Sequence, residues 1–204
     1  MEEYIQAVIL IVVGFFAGVI NTLAGGGSLF TLPVLIFLGL PPNIANGTNR
    51  IAIVIQSLSG ALGYKSKGIS NFPFNIYLGI SASIGAVIGA QIAIDLDGRL
   101  FNRILAIILI VVGGLILMNA KNLTHKLPER LTGKYLLFGI IGFFFIGIYG
   151  GFINAGIGIV IMLFLNRINR LSLVKTNASK TAIVFIYSSL ALAVFAFNDA
   201  INWK

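Results

Sequence analysis

The hydrophobic pattern of this chain consists of long apolar runs separated by short polar segments. A helix that crosses the hydrocarbon core of a bilayer, about 30 Å thick, needs roughly 20 predominantly apolar residues. Six runs reach about that length, and lipid-facing backbone in such a run must be helical to satisfy its own hydrogen bonds. The predicted membrane-spanning helices are residues 4–24, 44–64, 73–94, 100–118, 135–155 and 171–197. The pattern therefore predicts an all-α polytopic membrane protein.

Two further apolar runs are too short to cross a bilayer upright. Residues 29–40 reach about 18 Å as a helix and residues 157–165 about 14 Å, at roughly 1.5 Å per residue. Each run follows a glycine-rich break, Ala24-Gly25-Gly26-Gly27-Ser28 in the first case and Asn154-Ala155-Gly156-Ile157-Gly158 in the second. We interpret both as half-helices that enter and leave the membrane on one side, or as strongly tilted short spans.

Composition supports a location in the membrane. Hydrophobic residues make up 58% of the 204 residues and charged residues only 10%, whereas a soluble domain is roughly 25% charged. A chain this apolar cannot cover its surface with polar groups in water. These values exclude a cytosolic enzyme, a nucleic-acid-binding domain and a disordered chain.

The net charge is +8, and the basic residues lie between the apolar runs. Basic residues in this position are the signal that orients a membrane protein. If the runs cross or return as assigned, ten of the fourteen basic residues lie on one side of the membrane. These ten are Lys65, Lys67, Lys121, Lys126, Arg130, Lys134, Arg167, Arg170, Lys175 and Lys180. Because cytoplasmic loops carry an excess of Lys and Arg, we predict an N-terminus outside the cytoplasm. Its sequence, Met1-Glu2-Glu3, is acidic where a cleavable signal peptide is basic, so the first run is expected to stay in the mature protein.

The chain contains an internal repeat with an offset near 130 residues. The matched segments are 49–54 with 179–184, 20–21 with 153–154, and 71–72 with 202–203. Each copy is a long helix, a glycine break, a short helix and a second long helix that begins with polar residues. Five membrane elements precede the second copy, and an odd number of elements inverts it relative to the first.

This repeat defines the predicted organisation of the chain. Residues 1–118 form the first repeat with its five membrane elements, and residues 119–134 form a cytoplasmic basic loop. Residues 135–204 form a second, inverted repeat that is incomplete, because it has no counterpart of residues 73–118. Inverted repeats with interrupted helices are typical of secondary transporters, whose sites lie near the midplane where the repeats meet.

The glycine breaks are the first candidate for a binding site. A helix that begins at Ser28 or Gly158 leaves backbone N–H groups unpaired at its positive end, which favours an anion. Glycine also lets unwound backbone approach a ligand closely. The candidate residues are Gly25, Gly26, Gly27 and Ser28 in the first copy, and Gly156 and Gly158 in the second. Tight helix packing by small residues is the alternative interpretation.

Two basic residues occupy equivalent positions of the repeat. Arg50 and Lys180 each lie near the polar start of a long helix. Cations within a membrane are rare and usually functional, so we expect this pair to hold an anion at the interface between the repeats. Alternatively, both side chains extend to the lipid headgroups, since each lies within about two turns of a helix start.

Four short polar side chains complete the candidate set, namely Asn21, Asn49, Asn154 and Ser179. Their amide and hydroxyl groups could donate hydrogen bonds to an oxyanion. They could equally satisfy backbone groups that the glycine breaks leave without partners.

The chain has few residues that carry catalysis or bind metals. It contains no cysteine and one histidine, and none of its six acidic residues falls inside a predicted span. We therefore expect no metal site, no cofactor and no catalytic residues, and the protein is predicted not to be an enzyme.

At these residues the sequence resembles the TauE/SafE family of sulfite exporters, also called the toluene sulfonate uptake permease family. The matching positions are Gly18, Asn21, residues 24–29, Pro33, residues 45–50, Gly151, residues 154–158 and residues 177–180. The resemblance covers nearly the whole chain and implies transport of sulfite, organosulfonates or related sulfur oxyanions across a prokaryotic plasma membrane. It also implies that the glycine segments and helix starts of both copies line the pathway.

The sequence departs from the family pattern at two points. Ile157 interrupts the second glycine cluster, and the C-terminal helices of longer family members have no counterpart here. The second departure keeps another class of function open, a non-transporting membrane subunit whose glycines pack against a partner. For a transporter, the expected partners are a small anion and the lipid bilayer but no nucleic acid, and assembly as a homo-oligomer stays open.

Overall fold

Every regular element of the described chain is an α-helix, which confirms the predicted all-α fold. The computed structural model describes residues 2–23, 25–119 and 128–203. Its helices are α1 (Glu2–Leu23), α2 (Ser28–Phe37), α3 (Pro42–Ser66), α4 (Phe74–Asp95), α5 (Gly98–Asn119), α6 (Lys134–Phe152), α7 (Ile157–Arg167) and α8 (Leu173–Phe197). Met1, Ala24, Lys204 and residues 120–127 of the predicted basic loop 119–134 lie outside the described residues.

Each predicted apolar run forms one helix, and the largest differences in bounds occur at glycines. We expected the fifth long run to continue to residue 155, but α6 ends at Phe152. The reason is that Asn154 and Gly156 have φ values of +61° and +69°, which a right-handed helix cannot contain. Similarly, α2 ends at Phe37 rather than at residue 40, because Gly39 has a φ of +98°.

Four of the described helices, α1, α4, α6 and α8, are long and apolar enough to cross a membrane. The helices α2 and α7 are apolar but short, with 10 and 11 residues. Helix α3 has 25 residues, but its first turns carry the polar segment 46–50. The chain is therefore a multi-pass membrane protein, and crossing by α3 and α5 stays a prediction.

Helix α4 packs along both α6 and α8. Glycines bring the backbones of α4 and α6 into direct contact, because a Cβ atom at Gly85 or Gly89 would overlap carbonyl oxygens of α6. In the same way, a Cβ atom at Gly147 or Gly151 of α6 would overlap the backbone of α4. Small residues of this kind allow the close van der Waals packing that holds helices together in lipid. Helix α3, which belongs to the first part of the chain, packs against α8.

Helix α1 is packed much more lightly than the other apolar helices. Only 6% of its apolar window is buried inside the protein, compared with 56% for α4. Large side chains such as Val8, Ile11 and Phe15 are exposed along its length. In a membrane protein, a helix surface of this kind faces lipid tails or another helix.

The order of helices occurs twice along the chain. Helices α1, α2 and α3 are long, short and long, as are α6, α7 and α8, and a break precedes each short helix. The structure differs from the predicted register at one point, because Asn21 lies inside α1 whereas Asn154 follows the end of α6. These two asparagines therefore do not occupy equivalent positions. The inversion of the second copy and the limits of the repeats stay predictions.

Candidate functional site

The two glycine breaks are in direct contact with each other. A Cβ atom at Gly25 would overlap the backbone of Gly158, and a Cβ atom at Gly158 would overlap the backbone of Gly25. Gly25 also has a φ of +82°, in the left-handed region that glycine enters without steric strain. Both positions require glycine for the breaks to touch.

Ser28 joins the two breaks by hydrogen bonds. Its hydroxyl donates to the backbone oxygen of Asn154 at 2.9 Å and accepts from the backbone N–H of Gly156 at 3.3 Å. Both bonds are buried, so each satisfies a backbone group that an interrupted helix would otherwise leave without a partner. Ser28 therefore fixes the position of one break relative to the other.

The contact between the breaks places the starts of α2 and α7 beside each other. Helix α2 begins at Ser28 after the N-cap Gly27, and α7 begins at Ile157 after the N-cap Gly156. Neither glycine offers a side-chain cap. The first N–H groups of a helix have no intrahelical partner, and the aligned peptide dipoles make this end positive. Two such ends side by side favour a bound anion.

A small cleft lies against these helix starts. Its volume of about 20 Å³ is room for roughly one water molecule. The lining residues are Asn21, Ser28, Gln56, Ser57, Asn154, Ile157, Gly158, Lys180, Thr181 and Val184. Among these residues Lys180 carries the single formal charge, and none is acidic. The cleft is therefore polar and positive.

Lys180 reaches from α8 to the C-terminal end of α1. Its Nζ atom donates to the backbone oxygens of Asn21 at 2.8 Å and Thr22 at 3.2 Å, and to Oδ1 of Asn177 at 2.7 Å. Asn177, one turn earlier on α8, donates from Nδ2 to the backbone oxygen of Leu23 at 3.1 Å. A cation is favourable at a helix C-terminus, where carbonyl groups lack partners and the dipole is negative.

Arg50 makes the corresponding contacts from α3 to the C-terminal end of α6. Its Nη2 atom donates to the backbone oxygen of Gly150 at 3.0 Å and also to that of Gly151. Asn46, one turn earlier on α3, donates from Nδ2 to the backbone oxygen of Phe152 at 2.7 Å. The guanidinium carbon lies 4.8 Å from the ring centroid of Phe195, within the range of a cation–π interaction.

Each copy of the repeat therefore supplies an asparagine and a cation to the interrupted helix of the other copy. This arrangement contradicts the alternative in which Arg50 and Lys180 extend to the lipid headgroups, because their exposed fractions are 0% and 3%. Arg50 does not line the cleft. Its Nε and Nη1 atoms are buried and have no hydrogen-bond partner among the described residues.

Two tyrosines fasten the second break. Tyr187 on α8 donates from its hydroxyl to Oδ1 of Asn154 at 2.6 Å. Tyr149 on α6 donates to the backbone oxygen of Ala155. These bonds hold the short segment between α6 and α7 from two sides. The sequence did not indicate that these tyrosines bind the break, because an aromatic residue within an apolar run is unremarkable.

The candidate residues from the sequence fall into three groups. Five of them line the cleft, namely Asn21, Ser28, Asn154, Gly158 and Lys180. Gly25, Gly26, Gly27 and Gly156 form the breaks and helix starts beside it. Asn49, Arg50 and Ser179 do not line it. Asn49 lines a separate apolar pocket between α1, α2 and α3, and Ser179 accepts a hydrogen bond from Nδ2 of Asn71 at 2.7 Å.

Sequence reasoning missed three polar residues that line the cleft, Gln56, Ser57 and Thr181. Gln56 had a usable signal, since it is an amide within an otherwise apolar part of α3. Ser57 and Thr181 had a weaker one, because small hydroxyl residues inside membrane helices often bond to their own backbone, as Ser57 does to Ile53.

Comparison with known proteins identifies the relatives of this chain. The family described as sulfite exporter TauE/SafE matches residues 10–204. A "probable membrane transporter protein" of Haemophilus influenzae is 31% identical over 196 residues, which cover 96% of this chain and 76% of the relative. YfcA of Escherichia coli K12 is 26% identical, with coverage of 96% and 72%. YunE of Bacillus subtilis is 25% identical, with coverage of 96% and 80%.

Both YfcA and YunE are also described as probable membrane transporter proteins. No solved structure of another protein matches this chain.

Proposed function

The chain belongs to the sulfite exporter TauE/SafE family, and from that premise we propose that it moves small sulfur oxyanions, such as sulfite or organosulfonates, across the plasma membrane of a prokaryote. The family and the relatives establish the coarser statement that it is a membrane transporter and not an enzyme. Substrate, direction and location in the cell are the proposed part. Export is the direction we propose, with the N-terminus outside the cytoplasm.

One observation carries this proposal, the convergence of two helix N-termini and one lysine on a cleft without acidic residues. The oxygens of sulfite and of sulfonates are negatively charged acceptors. Backbone N–H groups at the two helix starts are donors of matching charge, and the ammonium of Lys180 adds positive charge beside them. The hydroxyl of Ser28 and the N–H groups of Lys180 already donate to protein oxygens, so each would have to exchange a partner to donate to the anion. A cation substrate would meet the same positive groups and be repelled.

The two cations have different parts in the proposed mechanism. Lys180 lines the cleft and supplies positive charge to it, and it would contact the anion directly by exchanging one of the three bonds with which it holds the end of α1. Arg50 adds positive potential from within the protein and holds the end of α6 in position. The anion is thus held at the interface of the two copies by the helix starts and by this pair.

The cleft must widen for transport. Its volume of about 20 Å³ suits roughly one water molecule, and an anion with several oxygens around sulfur is larger. We propose that the described arrangement is a closed state, and that movement of one copy relative to the other opens the cleft to each side in turn, as in inverted-repeat transporters.

Flux of radiolabelled sulfite in proteoliposomes tests the proposal. Vesicles that contain the purified protein should release or take up sulfite faster than protein-free vesicles, and the Lys180→Gln variant should be slower than the original chain. The Lys175→Gln variant is the matched control, since Lys175 lies on the same helix, is partly exposed and pairs with Glu129. Folded protein without flux above that of empty vesicles would reject transport of sulfite and favour the alternative of a non-transporting subunit.

A further inference from the structure

Most of the side-chain donors that line the cleft already form hydrogen bonds within the protein. The hydroxyls of Ser28, Ser57 and Thr181 each donate to a backbone oxygen. The ammonium of Lys180 donates to three protein oxygens. The side-chain donors that remain for a ligand in the cleft are therefore amide groups.

Three amide side chains line the cleft, those of Asn21, Gln56 and Asn154. An amide group has an oxygen that accepts hydrogen bonds and a nitrogen that donates them. Within the described part of the chain, the amides of Asn21 and Gln56 form no hydrogen bond, so either end of each can turn toward the cleft. The amide of Asn154 is different, because one of its two ends is bonded to the protein.

Tyr187 determines which end of the Asn154 amide is available to a ligand. Its hydroxyl donates to Oδ1 of Asn154 at 2.6 Å, and the exposed fractions of Asn154 and Tyr187 are 2% and 0%. Rotation of the amide by half a turn would bring Nδ2 to the tyrosine oxygen, and the buried hydroxyl proton would lose this acceptor. The nitrogen end of Asn154 is therefore held away from Tyr187.

The Nδ2 atom of Asn154 is a donor without a partner. It bonds to none of the residues that the structure describes, yet it is not enclosed by other atoms, and the open space beside Asn154 is the cleft. The backbone at this residue is also held in place. Its φ of +61° lies in the left-handed region, which asparagine enters more readily than most residues, and its backbone oxygen accepts from Ser28. The free donor is thus fixed at both ends of the side chain.

We propose that Asn154 binds the transported anion through its amide N–H groups, and that Tyr187 is the positioning residue that keeps these groups directed at the cleft. A donor held in place before binding loses little conformational entropy when the ligand arrives. With Oδ1 occupied by Tyr187, this amide can pair only with an acceptor, which on sulfite or a sulfonate is an unprotonated oxygen. The inference rests on the proposed function and states how that site recognises its class of substrate.

The same break contains a matched control for Tyr187. The hydroxyl of Tyr149 donates to the backbone oxygen of Ala155, next to Asn154, so both tyrosines hold this segment. The side chain of Tyr149 neither lines the cleft nor bonds to the Asn154 amide. Replacement of either tyrosine by phenylalanine removes one hydrogen bond from the break, but only Tyr187→Phe releases the amide.

Equilibrium binding of sulfite to the purified protein tests the proposal, with thermal unfolding as the check that each variant is folded. We expect Asn154→Gly, which retains access to a positive φ, to raise the Kd about tenfold through loss of a hydrogen bond to a charged ligand. Tyr187→Phe should raise the Kd about threefold, because the released amide then turns its oxygen to the cleft part of the time. Tyr149→Phe should leave the Kd unchanged while it lowers thermal stability.

A double variant separates positioning from general damage to the break. If Tyr187 acts through the amide, adding Tyr187→Phe to Asn154→Gly should raise the Kd no further, because the group that Tyr187 orients is already absent. A further rise would overturn the positioning role, as would equal rises of the Kd in Tyr187→Phe and Tyr149→Phe.

Two further results separate this inference from the proposed function. If the folded original chain binds no sulfite, the proposed function fails and the inference fails with it. If the original chain binds sulfite and Asn154→Gly binds it equally well, the inference alone is overturned.

Discussion

The two cations of the repeat perform the same structural task, yet only one of them faces the cleft. Arg50 and Lys180 each bind backbone oxygens at the C-terminal end of an interrupted helix from the other copy. The residue that lies 130 positions from Ser57 is Tyr187, so a serine lines the cleft where the other copy has a bulky aromatic ring. Both copies of the repeat therefore contain a cation that binds the C-terminal end of an interrupted helix. Whether that cation faces the cleft depends on the side chains around it, which differ between the two copies.

This difference has a consequence for how the two breaks behave. The break before α7 is tied by both Tyr149 and Tyr187. The described part of the break before α2 is held by Ser28 and by contact of Gly25 with Gly158. We therefore expect substitutions on the Arg50 side to act mainly on stability, and substitutions at Lys180 to act on both stability and the anion.

The largest effect on stability is expected from Arg50→Ala. It removes charge-assisted hydrogen bonds to two buried carbonyl groups of α6, and we expect a loss of about 4 kcal/mol in the free energy of unfolding. Equilibrium unfolding of the purified protein in detergent measures this. Arg103→Ala on the exposed face of α5 is the control, and equal losses in the two variants would show that Arg50 does not hold α6.

The next largest effect is expected from Gly25→Ala. The added methyl group would overlap the backbone of Gly158 and would occupy a left-handed φ, so we expect a loss of about 3 kcal/mol. In the control, Gly14→Ala, the methyl group meets no atom within 4 Å. If Gly25→Ala unfolds at the same denaturant concentration as Gly14→Ala, the two breaks do not touch as described.

Ser28→Ala should have a smaller effect. It leaves a backbone oxygen and a backbone N–H of the second break without partners, which costs about 2 kcal/mol for two ordinary hydrogen bonds. Ser59→Ala is the matched control, because the Ser59 hydroxyl is exposed and bonds within its own helix. Unfolding curves that coincide for the two variants would show that Ser28 does not link the two breaks.

The smallest of these effects is expected from Tyr187→Phe. The ring stays in place and only the hydrogen bond to Oδ1 of Asn154 is lost, so the free energy of unfolding should fall by about 1 kcal/mol. Tyr77→Phe, at an exposed tyrosine of α4, should change it by less. A Tyr187→Phe protein as stable as the original chain would mean that this tyrosine fills space but does not fasten the break.

Much of the fold could be predicted from the sequence, because lipid imposes a simple rule on it. Backbone in hydrocarbon must be helical, so each apolar run gave one helix, and the two glycine breaks separated the short helices from the long ones. The errors came where φ is positive, at Gly39, Asn154 and Gly156. An apolar run does not indicate where a left-handed residue ends its helix.

The candidate site was predicted less completely. The glycine breaks and Lys180 were found because they interrupt an apolar pattern, but the partners of Arg50 and Lys180 were not. Those partners are carbonyl oxygens of α6 and α1, which every residue possesses and which no sequence pattern distinguishes. The repeat register identified Arg50 and Lys180 as equivalent, and only the packing of α3 and α8 shows which of them reaches the cleft.

Equilibrium binding of sulfite to the purified protein, compared between Lys180→Gln and Lys175→Gln, tests the central claim most directly. Our account predicts that Lys180→Gln raises the Kd at least about tenfold, a difference of roughly 1.4 kcal/mol, while Lys175→Gln leaves it unchanged. If the original chain, Lys180→Gln and Lys175→Gln bind sulfite equally well, that result would contradict an anion site at the cleft between the glycine breaks.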